Sequence, residues 1–331
     1  MSRVEQDSLG TKELPDKVYY GIQTARAVEN FPVSGLKESP ELIHAYAAVK
    51  KAAALANMEL KLLKEELGNA IVAAAGEVMS GSLDDQFVVD VFQAGAGTSF
   101  NMNVNEVIAN RALEMLARPK GDYGFLSPND HVNMGQSSND TFPTACHVAV
   151  ISAGGTLVAE LAKLAESLRV KGRQFESVAK SGRTHLTDAM PVTLGTEVKA
   201  WASAVERAAE RIGQRREDLR ELPIGGTGVG TGTNAHPDFR KKVLARLSEL
   251  CGEEYRPAKD SYEALQSRAQ LAAFSGALRE LAQELIRIAN DIRLLSSGPS
   301  SGIGEIKLQA VQPGSSAMPG KVNPVLAECL G

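Results

Sequence analysis

Over most of this chain apolar residues recur at spacings of three and four, the period of a helix with one buried stripe. From Glu41 to Leu67 the series Leu42, Ala45, Val49, Ala52, Ala53, Ala56, Leu60 and Leu63 predicts one helix. Shorter stretches of the same pattern predict helices over 69–80, 84–93 and 103–117. A polar loop over 118–138 carries a turn signal at Ser127-Pro128-Asn129-Asp130. Helical periodicity resumes at about 141–170, 196–219 and 237–250. The longest run, about 258–297, has no proline and a single glycine, Gly276. A helix of ~40 residues would reach roughly 60 Å, too long for one compact domain. Residues 1–40 are instead turn-rich, with Gly10, Pro15, Gly21, Pro32, Gly35 and Pro40. The expected fold class is mainly α, with long helices burying their stripes against each other and against other subunits.

Composition narrows this picture. The 331 residues are 43% hydrophobic, enough for a sizeable core and more than one domain. Aromatics are only 5%, with one tryptophan, Trp201, a balance that favours long helices over a β-sandwich. A net charge of −4 supplies no basic field for nucleic acid or an anionic membrane. The opening stretch MSRVEQDSLGTKELP lacks the apolar core of a signal peptide, and no uninterrupted 18-residue apolar run occurs. A soluble, cytoplasmic protein is expected. Cys146, Cys251 and Cys329 are widely spaced, odd in number and follow no metal-ligand pattern, so they read as reduced thiols.

Five polar segments interrupt the helical pattern. Ala94-Gly95-Ala96-Gly97-Thr98-Ser99 through Asn103-Val104-Asn105-Glu106 places Gly, Thr and Asn at a helix start. Free N–H groups there suit a carboxylate, although Asn103 or Asn105 taken alone reads first as a plain cap. Asn133 to Thr141, with Ser137, Ser138, Asn139 and Asp140, again sets uncharged donors before a helix, where Asn139 or Asp140 could cap. Ser181 to Pro191 is a polar loop in which Thr184 and His185 stand beside Arg183. Gly225 to Pro237 is glycine-rich but lacks the Gly-x-x-x-x-Gly-Lys-Ser/Thr order, so it reads as a tight connection carrying backbone donors. Finally, Gly314-Ser315-Ser316-Ala317-Met318-Pro319-Gly320-Lys321-Val322-Asn323-Pro324 holds hydroxyls, an ammonium and an amide, with no acid. That inventory suits an anion, and a serine beside a lysine can be a base or a nucleophile.

The Gly314–Pro324 string closely resembles the signature loop of the aspartase/fumarase superfamily, and the order of the other polar segments matches that family from residue 3 to residue 331. The resemblance implies an aspartase/fumarase-type fold: an N-terminal, mostly helical domain over 1–138 and a long-helix bundle domain over 139–331. Family chains run on through the rest of the bundle and a small C-terminal domain, so that part is expected to lie outside these residues. It also implies a homotetramer whose active sites draw loops from several subunits, acting on a small dicarboxylate without cofactor or metal. Thr98, Ser137, Ser138, Asn139, Thr184 and His185 match carboxylate-binding positions of the family. Lys321 and Asn323 match substrate ligands from a mobile loop, and Ser315 matches the general base. Catalysis would then rest on Ser315, His185 and Lys321. Removing a proton beside a carboxylate builds an aci-carboxylate dianion, which demands many donors.

The resemblance is divided over the leaving group. Leu9-Gly10-Thr11, Tyr19-Tyr20-Gly21-Ile22-Gln23-Thr24, Ala96-Gly97-Thr98-Ser99, Ser127-Pro128-Asn129-Asp130 and Leu294-Leu295-Ser296-Ser297-Gly298-Pro299 are similar to aspartases. Ser137-Ser138-Asn139-Asp140 and Asn234-Ala235-His236-Pro237 are similar to fumarases. L-aspartate to fumarate plus ammonia is the leading expectation and L-malate to fumarate plus water the alternative. A non-catalytic structural homologue is the reading from another class.

Overall fold

The structure is a computed structural model that describes residues 2–331. Its contacts divide the chain into two compact units interleaved along the sequence: residues up to Ala153 with Glu217–Gln270, and Gly154–Arg216 with Leu271–Gly331.

The first unit opens with an antiparallel hairpin, β1 (Ser2–Asp7) and β2 (Gly10–Pro15), paired from Ser2↔Pro15 to Asp7↔Gly10. Helices α1 (Ile22–Asn30), α2 (Pro40–Glu59), α3 (Glu65–Met79) and α4 (Thr98–Met115) follow. Ser39 caps α2, and Pro40 occupies its first turn, where a missing N–H costs nothing. The single helix expected over Glu41–Leu67 is in fact two. Lys61 takes a left-handed φ of 60°, Leu62 N–H returns to Asn57 O and Lys61 N–H to Met58 O. This pair of bonds is a Schellman closure, and buried Leu63 just beyond it kept the apolar spacing running past the helix end.

The stretch 84–93 is a further correction. Only Asp84–Gln86 makes a helical turn, after which Phe87 and Val89 are buried in alternation, the period of extended chain. Asp90 then accepts N–H bonds from Ser34, Gly35 and Phe92 at 2.7–2.8 Å, which a helical course would forfeit. Glu106 of α4 is fully buried and accepts from the N–H groups of Gly21, Gln23 and Thr24 and from the Thr24 hydroxyl at 2.6 Å. It thus closes the N-terminus of α1 from another helix. Burial pushes its pKa up to about 7 against the pull of those donors.

Helix α5 (Ser138–Gln174) contributes its residues up to Ala153 to this unit. It has the length, and over 18 residues the mean hydropathy of 1.5, of a membrane-crossing helix. Its first three turns, however, carry buried Asp140, Thr141, Thr144 and His147, each hydrogen-bonded within the unit, as in a core helix.

In the second unit a hairpin of β3 (Ala179–Thr184) and β4 (Thr187–Thr193) replaces the polar loop expected over Ser181–Pro191. Helix α6 (Leu194–Asp218) follows. The first unit is completed by β5 (Glu221–Leu222) paired in parallel with β6 (Arg256–Pro257), by α7 (Phe239–Cys251), which packs on α2, and by α8 (Ser261–Gln266). The long run expected over 258–297 breaks here. Ser267 is extended, and Arg268 donates to the carbonyls of Ala264, Leu265 and Ser267, satisfying the end of α8. Helix α9 (Ala269–Leu295) then runs for 27 residues, ~40 Å. A short α10 (Val325–Leu330) follows the Gly314–Pro324 loop.

Candidate active site

In the first unit, two helix N-termini converge. Gly97, in the left-handed region at φ 69°, precedes α4 and provides no side-chain cap. Gln93 Oε1 takes the N–H of Phe100 and Gly97 O that of Asn101, and no hydrogen bond among the described residues takes those of Thr98 or Ser99. At the start of α5, Ser137 N–H donates to Asp140 Oδ1 at 2.9 Å while Ser137 Oγ accepts the N–H of Asn139 at 3.2 Å. This is a capping box with aspartate as its acid. Thr98 and Ser138 hydroxyls meet at 3.0 Å, joining the two helix starts, and Asn139 Nδ2 donates to Gly228 O at 2.8 Å. The other oxygen of Asp140 accepts from Gly225 and Thr227 N–H at 3.0 and 2.9 Å, which is where the donors of the glycine-rich connection go. Burial pushes the Asp140 carboxyl up to about 6 despite these bonds.

Asn103 and Asn105 are not caps, because α4 begins five residues before Asn103. Both are fully buried: Asn103 bridges Gln86 O and Val88 N, and Asn105 donates to Asn133 Oδ1 at 3.2 Å. Two helix N-termini carrying hydroxyls and free N–H groups can receive a carboxylate. A cavity of about 680 Å³ opens beside the start of α4, lined by Thr98 and Ser99 with Gln23, Arg26 and Asn129.

In the second unit, Thr184 ends β3 and pairs with Thr187 across a two-residue turn, His185-Leu186. Both turn residues have positive φ, 53° and 62°. Such turns favour Asn-Gly, and a bulky pair there is strained. The tip is exposed, while the strand behind it is anchored by Lys180 and Arg183, which both pair with Glu305.

The Gly314–Pro324 loop is closed at its neck. Gly314 N–H donates to Lys321 O at 2.9 Å, and Asn323 Nδ2 donates to Gly314 O at 2.7 Å. Within it, Ser315 Oγ accepts the N–H groups of Ala317 and Met318 at 3.2 and 3.1 Å. Two donors aimed at one hydroxyl oxygen favour its deprotonated form. The Lys321 ammonium forms no hydrogen bond or ion pair with any described residue, which leaves it open to an anion.

The structure therefore brings Thr98 together with Ser137, Ser138 and Asn139 in one unit. Thr184, His185, Ser315, Lys321 and Asn323 belong to the other, on a hairpin tip and a loop that share no hydrogen bond among the described residues. Sequence reasoning missed Lys50, fully buried on α2 and bonded to the loop that precedes Ser137. The available signal was a lysine within an otherwise alanine-rich buried stripe.

A family described as lyase matches residues 10–331. Aspartate ammonia-lyase of Bacillus subtilis is 50% identical over 328 residues, covering 99% of this chain and 69% of that protein. Class II fumarate hydratase of Thermus aquaticus is 49% identical over 331 residues, covering 99% of this chain and 71% of that protein. Among solved structures, the class II fumarase from Schistosoma mansoni superposes with a TM-score of 0.95 at 37% identity, covering all of this chain and 73% of that one. The chain belongs to this lyase family, in which aspartate ammonia-lyases and class II fumarate hydratases are its relatives.

Proposed function

We propose that this lyase eliminates ammonia from L-aspartate to give fumarate, reversibly and with anti geometry. The observation that carries the reading is the Ser315 hydroxyl, whose oxygen receives two backbone N–H groups in a loop that also bears an unpaired Lys321 ammonium. Ser315 takes the Cβ proton, and the electron pair left behind moves into the adjacent carboxylate as its aci form. That pair returns to form the double bond as ammonia leaves Cα. Thr98, Ser137, Ser138, Asn139, Thr184 and His185 hold the carboxylates, with Lys321 and Asn323 completing the set. Donors fixed beforehand on helix starts and a tight loop need no rearrangement as the second negative charge develops, which is the physical source of rate. No cofactor is needed for these steps.

We propose a cytoplasmic homotetramer in which different subunits supply these residues. Helix α9 offers apolar residues for that assembly, with Leu278, Ile286 and Leu294 exposed on it. The alternative, hydration and dehydration between fumarate and L-malate, is supported by the 49% identity to the Thermus aquaticus enzyme, against 50% to the Bacillus subtilis one. It changes the leaving group and nothing else in the steps above. The test is fumarate formation followed by ultraviolet absorbance, with L-aspartate and L-malate offered separately. Fumarate from malate alone would make the alternative correct, and fumarate from neither would remove the elimination reading.

A further inference from the structure

Beneath the Thr98–Ser138 contact lies a fully buried ammonium. Lys50 projects from α2, an interior helix, and its Nζ donates to Asn101 Oδ1 at 2.8 Å, Asn133 Oδ1 at 2.8 Å and Gln136 Oε1 at 3.0 Å. Three ammonium protons thus meet three amide oxygens, with no carboxylate in contact among the described residues. The acceptors are not scattered. Asn101 is in the first turn of α4, three residues after Thr98, while Asn133 and Gln136 belong to the loop that ends at Ser137. That loop is further laced by Asn133 Nδ2 to Gln136 O at 3.2 Å and Gln136 Nε2 to Val132 O at 3.0 Å. Lys50 thus places a charged group between the start of α4 and the segment presenting Ser137, Ser138 and Asn139, which the Asn101 and Asn105 amides on Asn133 and the Thr98–Ser138 contact also join.

We propose that Lys50 is a positioning residue of the carboxylate site: its ammonium holds the two helix starts in the arrangement that receives a dicarboxylate. The proposal deepens the elimination reading and rests on it, since it concerns the same site. An isolated buried lysine is unfavourable for folding, because removing an ammonium from water is costly even with amide partners. A methionine would fill the space without that penalty if packing alone were needed. Holding three carbonyl oxygens with one atom requires the charged form. A neutral amine has two protons and a lone pair, so at least one amide would face a lone pair and release.

This makes the arrangement sensitive to pH. Burial pushes the Lys50 ammonium down to about 7, opposed by Asp140. Asp140 is the charged group acting on it from α5, and its carboxylate is already held by Ser137, Gly225 and Thr227. On α2 itself the Tyr46 ring stands 5.4 Å away, and His44 is paired with Asp84. From α7, Lys242 and Arg246 are paired with Glu59, more than two turns along α2; from α3, Glu77 is held by Arg111 of α4. The sign follows. The organised site exists below about pH 7 and loosens as Lys50 loses its proton above it.

The experiment is succinate binding by calorimetry between pH 6 and 8.5, with steady-state kinetics, on wild-type protein, Lys50→Met and Gln136→Met. Wild-type affinity is expected to fall by up to ~tenfold per pH unit above the Lys50 pKa. Lys50→Met is expected to bind at least ~tenfold more weakly at pH 6, with that slope gone, and to raise KM more than it lowers kcat. Gln136→Met leaves two acceptors and is expected to weaken binding several-fold and move the midpoint to lower pH. It stands as the test should Lys50→Met not fold. A folded Lys50→Met with wild-type KM and an unchanged slope overturns the proposal, as does a Gln136→Met variant with unchanged midpoint and affinity. Wild-type protein that binds no succinate even at pH 6 removes the elimination reading, and this proposal with it.

Discussion

Gly97 is the position where the site scaffold is most exposed to a single added atom. It lies at φ 69°, and a Cβ built on it would fall 2.3 Å from Phe142 Cδ2 and 2.4 Å from Phe142 Cγ. Gly97→Ala therefore carries two separable penalties. A left-handed alanine costs ~1–2 kcal/mol. Relieving the contact requires the Phe142 ring to withdraw by ~1 Å to reach ordinary van der Waals separation, an overpacking cost of ~1–3 kcal/mol. The expected loss of stability is their sum, ~2–5 kcal/mol. Function should suffer in parallel, because Phe142 is in the first turns of α5, four residues after Ser138, and Gly97 is next to Thr98. Displacing the ring draws apart the hydroxyls that meet at 3.0 Å, and succinate affinity is expected to fall at least ~tenfold, which corresponds to ~1.4 kcal/mol. Urea unfolding followed by circular dichroism measures the first quantity and calorimetry the second. Adding Phe142→Leu separates the terms: the double variant should recover the steric part and retain the backbone part, a coupling of ~1–3 kcal/mol. Strict additivity of the two substitutions, or wild-type stability in Gly97→Ala, would refute the reasoning.

Three further outcomes follow from the same geometry. Ser315→Ala should lower kcat at least ~10²-fold with little change in succinate affinity; near-normal kcat with lost binding would make Ser315 a ligand and turn attention to His185 as base. Leu186→Gly should raise the urea midpoint by the equivalent of ~0.5–1 kcal/mol, the relief of a left-handed leucine less the added chain entropy of glycine, since the side chain is 73% exposed and little burial is lost. A midpoint at or below wild type counts against strain in that turn. For Glu106, the folded pKa of about 7 lies above the ordinary glutamate value of 4.5, so its contribution to stability is complete below pH 4.5 and is lost as pH rises through 7. That amounts to ~3 kcal/mol over the window, and Glu106→Gln should flatten it; an unchanged slope in urea titrations across that range would exclude Glu106 as its source.

The parts of the fold that the sequence disclosed are those in which one periodicity operates alone. Helices α5, α6 and α7 emerge within a few residues of the expected bounds because their stripes are uninterrupted and their neighbours are polar loops. The failures have local causes. Leu63 continued the stripe of α2 through a turn closed by backbone bonds at Lys61, and Ser267 with Arg268 ended α8 by side-chain and guanidinium capping inside an unbroken apolar run. The β3–β4 hairpin left no trace, because its faces are too exposed to alternate and His185-Leu186 lacks the Asn-Gly turn signal. For the site, the strings around Thr98, Ser137–Asn139, Thr184–His185 and Ser315–Asn323 were readable because residue types suited to anions cluster in them. Lys50 was not, since its role depends on partners 51, 83 and 86 residues away.

The interleaving of the two units governs the order in which the chain can become complete during its synthesis. One face of α2 is covered by α7, and the ion pair of Glu59 with Lys242 spans 183 residues. At ~5–20 residues per second the ribosome needs roughly 10–40 s to deliver that partner. During this interval the alanine-rich surface of α2 stays bare, and the capping aspartate of α5 waits for Gly225 and Thr227. Closing such long loops also slows folding once the chain is free. The first half of this protein is thus committed to a period of vulnerability that a chain with contiguous units of the same size would avoid.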